Sequence, residues 1–374
     1  MTAPFDFERL GDLVTFQRGH DLPSRLRRRG SIPLVSSAGV TDWHDTPAAE
    51  PPGVVTGRYG TIGELFFIDQ PYWPLNTTLY VRDFHGNNPR YIYYLLHRFD
   101  FGNFSGKSGV PGVNRNDLHA ESVGATRDPL EQAAIVEALD AAADLLSTLD
   151  QLLLKKRDLA QGLRQALLSE RVRLSGFQGR WNSRRIDELA DIVSGGTPST
   201  SRAEYWSGSL PWCTPTDVTG FAGKYLHHTA RTISEAGLAN SGAEQLPTGA
   251  LLLCTRATVG DVRIAGRPMC TNQGFKSLVC RPGVNNEFVY YALPTLKSKM
   301  LASAFGSTFL ELSKRNLGAI ELRLPDDEQE QAAIAAVLSD LDLELEALEA
   351  RRTKTLAIKQ GMMQALLTGR IRLT

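Results

Sequence analysis

Cysteine is scarce and one-sided. There are 4 in 374 residues, Cys213, Cys254, Cys270 and Cys280, all in the second half of the chain. No C-x-x-C pair occurs and no histidine stands at ligand spacing. Neither a zinc site nor a disulfide framework is expected, and the four read as core thiols in a reducing compartment. His227-His228 reads as a loop feature rather than a ligand pair. No run reaches about 18 apolar residues, so no membrane-spanning helix is expected. The opening MTAPFDFERLGD has neither the basic stretch nor the apolar run of a secretory signal. These absences point to a cytoplasmic protein without a metal. An excess of charge is also missing, with 41 basic and 41 acidic side chains where a nucleic-acid binder usually carries a basic surplus. The total hides a distribution, however. Residues 181–324 hold 15 basic and 11 acidic side chains, and residues 325–374 hold 6 and 9, which permits a positive patch before the last segment.

Catalytic signatures are lacking as well. GNFSGKS at 102–108 has Gly-Lys-Ser but three residues between its glycines, where a phosphate loop needs four. GRYGTIG at 57–63 lacks the spacing of a dinucleotide loop. NNPR at 87–90 lacks the second proline and the aromatic of an adenine-methyltransferase motif. No G-x-S-x-G elbow and no H-E-x-x-H occur. The chain reads as non-catalytic, with no catalytic residues and no cofactor of its own.

What is present is a repeat. Sliding the sequence by 199 residues lays EQAAI at 131–135 on EQAAI at 330–334, and QALLSERVRL at 165–174 on QALLTGRIRL at 364–373. Across these 44 positions no gap is needed and about 18 residues are identical. Each copy predicts a long helix, entered just after Pro129 or Pro325 with acid in its first turn. The first shows an apolar seam through Ile135, Leu139, Leu146, Leu149, Leu153 and Leu163. The second runs through Ile334, Leu338, Leu341, Leu345, Leu348 and Met362, with a lapse at Arg352, Thr355 and Lys359. Gly162 and Gly361 predict a weak point before each QALL. Two matched stripes predict an antiparallel pair about 60 Å long. The other arrangement open to them is each helix folded back on its own globule.

The segments before the helices also pair, more loosely. RLGDL at 9–13 matches RIDEL at 185–189, SIPLVS at 31–36 matches SLPWCT at 209–214, and TGRYGTIGELFFI at 56–68 matches CTRATVGDVRIA at 254–265. Short β-branched runs with glycine turns predict mixed α/β globules. The expected order is a globule at 1–128, a helix at 129–176, a globule at 177–324 and a helix at 325–374. The globules have diverged more than the helices, as expected if they read different targets.

The polar residues that recur suit nucleic acid. Arg58 and Arg256 are expected to match, as are Asn76-Thr77 and Asn272-Gln273. Lys107, Ser108, Arg115 and Asn116 come late in the first globule, and Lys314 and Arg315 late in the second. Tyr59 adds an aromatic, and Thr197, Thr258 and Lys276 complete the candidate set. Arg fits guanine with two parallel hydrogen bonds, Asn and Gln fit the adenine edge, and Lys, Ser and Thr suit phosphate. Each alone also fits a solvated or turn-stabilising role; the recurrence favours the set. The basic run RLRRR at 25–29 fits either a phosphate patch or a solvated loop.

SGGTPSTSRAEYWSGSLPWCTPTDV at 194–218, TRATVGD at 255–261 and GSTFLELSKRNLGAIELRLPDDEQEQAAI at 306–334 resemble the specificity subunits of type I restriction-modification systems. The resemblance extends to the duplicated plan and to the proline–acid–EQ-x-x-I entry of each helix. The first globule departs from the family's pattern, with Arg18-Gly19-His20 in place of Gly195-Gly196-Thr197-Pro198. The resemblance implies an α+β architecture of two target-recognition domains, separated and followed by long helices that pair as an antiparallel coiled coil. Each domain would read one half of a bipartite double-stranded DNA site, with the helices as a ruler holding readers roughly 34 Å apart. It further implies docking of two modification subunits, which methylate adenine, and two restriction subunits, which carry translocase and nuclease. The competing expectation is a helical-hairpin adaptor whose globules bind proteins.

Overall fold

The computed structural model describes residues 5–104, 112–305 and 311–373. It divides into two compact units: residues 1–152 with 348–374, and residues 153–347.

The first unit begins with β1 (Phe7–Arg9), α1 (Leu10–Leu13) and β2 (Thr15–Arg18), followed by β3 (Ile32–Ser36) and β4 (Gly39–His44). Then come β5 (Gly53–Gly57), β6 (Leu65–Ile68), β7 (Trp73–Pro74), β8 (Thr78–Asp83) and α2 (Pro89–Leu96). After α3 (Arg115–Ala120) and β9 (Ser122–Gly124) the chain enters the 40-residue helix α4 (Pro129–Leu168). The second unit opens on β10 (Trp181–Arg185), α5 (Ile186–Leu189), β11 (Ala190–Ser194) and β12 (Trp206–Cys213). Next are α6 (Pro215–Thr219), β13 (Tyr225–Leu226), β14 (Arg231–Ile233) and α7 (Glu235–Ala239). It continues through β15 (Leu251–Leu253), β16 (Val262–Ala265), β17 (Cys270–Thr271), β18 (Lys276–Cys280), α8 (Asn286–Ala292) and α9 (Lys297–Ala302). It ends with α10 (Lys314–Gly318), β19 (Glu321–Pro325) and the 39-residue helix α11 (Glu328–Leu366).

The two units repeat one topology. The first has sheets β2-β8-β5-β6, β4-β3-β7 and β1-β9; the second has β11-β18-β15-β16-β13, β14-β12-β17 and β10-β19. The difference is strand β13, which adds in parallel to β16 from the longer insertion of the second unit. In both, Asn caps the helix after the main sheet. Asn88 accepts from Arg90 and Tyr91 N–H, and Asn285 accepts from Phe288 N–H.

The division between units falls inside both long helices, because each globule's core is completed by the start of one and the end of the other. Ile135, Leu139, Leu366 and Leu367 join Phe16, Val54, Val81, Tyr91 and Ile92 in the first unit. Ile334, Leu338 and Leu167 join Ile192, Leu251, Leu278 and Phe288 in the second. The expected seam is covered throughout. Ile135, Leu139, Leu149, Leu153, Ile334 and Leu338 are buried, and Leu146, Leu163, Leu341, Leu345, Leu348 and Met362 are half-buried. Within each unit the helical segments run antiparallel: Asp150 pairs with Arg352 in the first, and Lys156 with Glu344 (2.6 Å) and Arg164 with Asp342 (2.7 Å) in the second. Antiparallel pairing and packing on a globule were alternatives from sequence, and each unit combines them. Both helices continue unbroken through Gly162 and Gly361.

The repeated EQ and R-x-R-L residues explain one another. Glu131, 1% exposed at the start of α4, receives the guanidinium of Arg372 (2.5 and 2.7 Å); Glu330, 0% exposed at the start of α11, receives that of Arg173 (2.6–3.0 Å). Each pair lies within one unit and ties the beginning of one helix to the segment just past the end of the other. Gln132 accepts from Asn88 N–H (2.7 Å) and donates to the Thr126 carbonyl (2.7 Å). Gln331 does the same with Asn285 N–H (2.8 Å) and the Pro325 carbonyl (2.8 Å). Past the helix ends, Glu170 and Gly369 occupy matching positions with φ of 61° and 71°. The glycine meets this left-handed turn without strain; the glutamate adopts it at a cost of about 1–2 kcal/mol.

Burial pushes Cys254 and Cys270 up to about 11 and Cys280 up to about 12, so these thiols stay protonated near neutrality. Among the described residues no cluster of His, Cys, Asp or Glu is arranged to hold a metal ion.

Candidate nucleic-acid interface

Three loops of the first unit meet at one tip: those after β2, after β5 and between β7 and β8. Gly19 N–H donates to the Thr78 carbonyl (3.1 Å) and Arg58 N–H to the Thr77 carbonyl (2.8 Å). A Cβ on Gly19 would sit 2.1 Å from the Leu75 oxygen, so only glycine lets these loops approach. Asn76 Nδ2 then donates to the Asp21 carboxylate across the gap. The approach to α3 closes the tip, with Val113 N–H on the Arg58 carbonyl (2.9 Å) and Gly112 against the Tyr59 ring.

The second unit builds the same tip from other residues. Thr255 N–H donates to the Gly274 carbonyl (2.8 Å) and Leu312 N–H to the Thr255 carbonyl (3.0 Å). Gly195 is held for the same reason as Gly19, since a Cβ there would lie 1.9 Å from the Asn272 oxygen. Thr197 Oγ1 donates to Gln273 Oε1, occupying the place of the Asp21–Asn76 contact.

These contacts correct the expected pairing by one residue. Gly57 pairs with Thr78 where Cys254 pairs with Phe275. Arg58 therefore corresponds to Thr255, and Arg256 to Tyr59; Asn76 corresponds to Gln273, and Asn272 to Leu75. Two arginines that look equivalent in sequence sit on adjacent positions of the same loop.

Their electrostatics differ accordingly. Arg58 is half-buried with its guanidinium carbon 4.5 Å from the centre of the Tyr59 ring. Arg256 instead pairs with Glu311 (2.7 Å), and Lys276 stands 3.8 Å from the same carboxylate. Lys276 is only 9% exposed; burial, reinforced by the charges of Arg256 and Lys314, lowers its pKa against the pull of Glu311. Asn272 spends its side-chain oxygen on Gly274 N–H (2.9 Å), which fixes the turn, and Thr258 N–H closes a tight turn onto the Arg256 carbonyl (2.6 Å). Thr77 and Thr258 are half-buried. Exposed positions are Thr197, Gln273, Arg115 and Asn116 on the first turn of α3, and Lys314 and Arg315 on the first turn of α10. Lys107 and Ser108 lie outside the described residues.

Two groups beside these tips escaped the sequence reading. In the first unit Asp42 on β4 holds Arg27 of the RLRRR run (3.1 Å), and Asp45 holds Arg28 (2.9 Å). In the second unit Arg231 on β14 lies over Trp206, its guanidinium carbon 3.6 Å from the ring centre. Strand register makes Asp42 and Arg231 equivalent: Leu34 faces Asp42 as Trp212 faces Arg231, one residue after the matched prolines Pro33 and Pro211.

Residues 178–357 match the family model described as the type I restriction modification DNA specificity domain. Over nearly its full length the chain superposes on the type I restriction-modification S subunit of M. genitalium, covering 97% of this chain and 96% of that one at a TM-score of 0.65 and 16% identity. Residues 178–357 thus resemble a type I specificity domain, and the chain as a whole shares the fold of type I S subunits. The HsdS subunit of Thermoanaerobacter tengcongensis shares the fold at a TM-score of 0.54 and 18% identity, over 98% of this chain and 97% of that one. The MjaIX specificity subunit of Methanocaldococcus jannaschii is 36% identical over 164 residues, which is 43% of this chain and 38% of that subunit's own length. The likeness to these solved structures carries the fold, which in this chain is two α+β units with long helices.

Proposed function

We propose that the chain is the DNA-recognition subunit of a type I restriction-modification complex, with each unit reading one half of a bipartite duplex site. The observation that carries this reading is the pair of tips: one loop framework, stabilised by equivalent glycines and backbone hydrogen bonds, bearing different outward side chains. In the first half, Arg58, Tyr59, Asn76, Arg115 and Asn116 stand at or beside the tip, and in the second Thr197, Arg256, Gln273, Lys314 and Arg315 do. Arginines and amides there suit base edges, and the exposed lysine and arginine of α10 suit phosphate. The equal helices α4 and α11 serve as the ruler between half-sites. Methylation and cleavage belong to two modification and two restriction subunits, and exposed Leu152, Leu154 and Leu159 on α4 offer apolar surface for such partners. Among the described residues no helix is long and apolar enough to cross a membrane, and the complex works in the cytoplasm.

The test is to express the chain with a modification subunit that assembles with it and to sequence the methylated adenines of the host genome. A single bipartite motif with two unlike halves and a fixed gap is expected. An assembled complex that methylates without such a motif contradicts the proposal.

A further inference from the structure

Resting on the DNA-recognition reading above, we propose that Arg231 reads a base edge in the half-site of the second unit, with Trp206 and Trp212 as its positioning platform. The guanidinium carbon lies 3.6 Å from the centre of the Trp206 ring and 5.3 Å from that of Trp212. The two indoles meet edge to face, 5.0 Å apart at 87°. Each is pinned by its own N–H: Trp206 Nε1 donates to the Ser199 carbonyl (3.1 Å) and Trp212 Nε1 to the Gly196 carbonyl (2.9 Å). Trp212 is buried, so the platform is anchored in the small core it shares with Ile233 and Cys270. The backbone beneath Arg231 is fixed as well. The Thr229 hydroxyl donates to its carbonyl (2.6 Å) and accepts from Trp212 N–H (3.1 Å).

Everything that positions Arg231 leaves its hydrogen-bonding capacity unused. The residue is exposed, and no described residue accepts a hydrogen bond from its guanidinium or pairs with its charge. Arginine carries five N–H donors in a planar fork, and stacking on an indole face holds that plane while leaving the donors at its edge. A fork already ordered loses little freedom on binding, and its geometry matches the O6 and N7 acceptors of guanine. The location agrees, because the Gly196 carbonyl that anchors Trp212 precedes Thr197, which contacts Gln273 at the tip. Arg256 on the same unit is neutralised by Glu311, and Arg27 in the first unit by Asp42. Among the described residues Arg231 has no such carboxylate, which leaves it ready for a ligand's acceptors.

The experiment selects bound sequences from a randomised duplex pool, using the complex of the chain with a modification subunit, for the parent chain, Arg231→Ala and Arg231→Lys. Arg231→Ala should lose preference at one base pair of one half-site, with discrimination there falling roughly 5- to 150-fold. The other half-site should be read as before, and the remaining base pairs of the second half-site should still be selected, which reports that the unit carrying the substitution is folded. Arg231→Lys should keep total binding and still lose that preference, because an ammonium cannot reproduce the fork. An unchanged motif in both variants, or a uniform loss of affinity with both half-sites intact, overturns the base-reading assignment and leaves the DNA-recognition reading standing. A parent complex that selects no sequence at all overturns that reading, and the assignment with it.

Discussion

Glu131 meets Arg372 in the first unit as Glu330 meets Arg173 in the second, yet Asp42 clamps Arg27 at the strand position where Arg231 lies on Trp206. The first comparison is between identical residues in identical roles. The second is between opposite charges at one strand position: Asp42 holds Arg27 by an ion pair, whereas Arg231 is itself held by the Trp206 ring. A buried carboxylate needs its guanidinium wherever the joint is built, so both partners of the joint recur in the two copies. At the tip the backbone hydrogen bonds carry the framework, which frees the outward side chains to differ. The units thus share what closes them and differ in what they present.

The joint is the most sensitive place to break this comparison. Glu330→Ala leaves Arg173 facing a buried gap and should cost about 3–5 kcal/mol in the second unit. Hydrogen exchange resolved by segment should show α11, α8 and β19 losing protection, with β5 and β8 of the first unit unaffected. Equal loss in both units would mean that the two joints do not stabilise their units separately.

At the tip a smaller and local effect is expected. Arg256→Ala should weaken or relax reading in the second half-site alone, by about 1–3 kcal/mol where it contacts a base. Because Arg256 corresponds to Tyr59 and not Arg58, the same experiment with Arg58→Ala should alter a different place within the first half-site. Methylated-site sequencing of both variants reads this directly. If Arg256→Ala changes the first half-site, or neither variant changes the motif, the tips are not the readers.

Much of the scaffold was legible in the sequence because its constraints are short-range or repeated. The identical EQAAI and R-x-R-L segments mark both helices and their equal length, and apolar spacing marks the seam from Ile135 to Leu153. The resemblance to specificity subunits rests on one of these, the EQAAI entry within 306–334, and on 194–218 and 255–261 of the second globule. The tips were less legible. The arginine shared by TGRYG and CTRAT favours a register one residue off, which the pairing of Gly57 with Thr78 and of Cys254 with Phe275, with the matching backbone hydrogen bonds, corrects. Glu311 lies 55 residues from Arg256, so nothing local signals their ion pair. Arg231 reads as an ordinary strand residue until β12 brings Trp206 beneath it. Lys276 belongs to the candidate set by residue type, but it opens a buried stretch of β18 and is only 9% exposed.

The central claim is that a constant scaffold holds two independent readers, and a length change in the scaffold tests it most directly. Four residues that preserve helical phase approximately, inserted after Leu153, lengthen α4 by about one turn. Sequencing of methylated sites should then return both original half-sites separated by an altered gap. A motif with changed half-sites and the original gap would contradict the account.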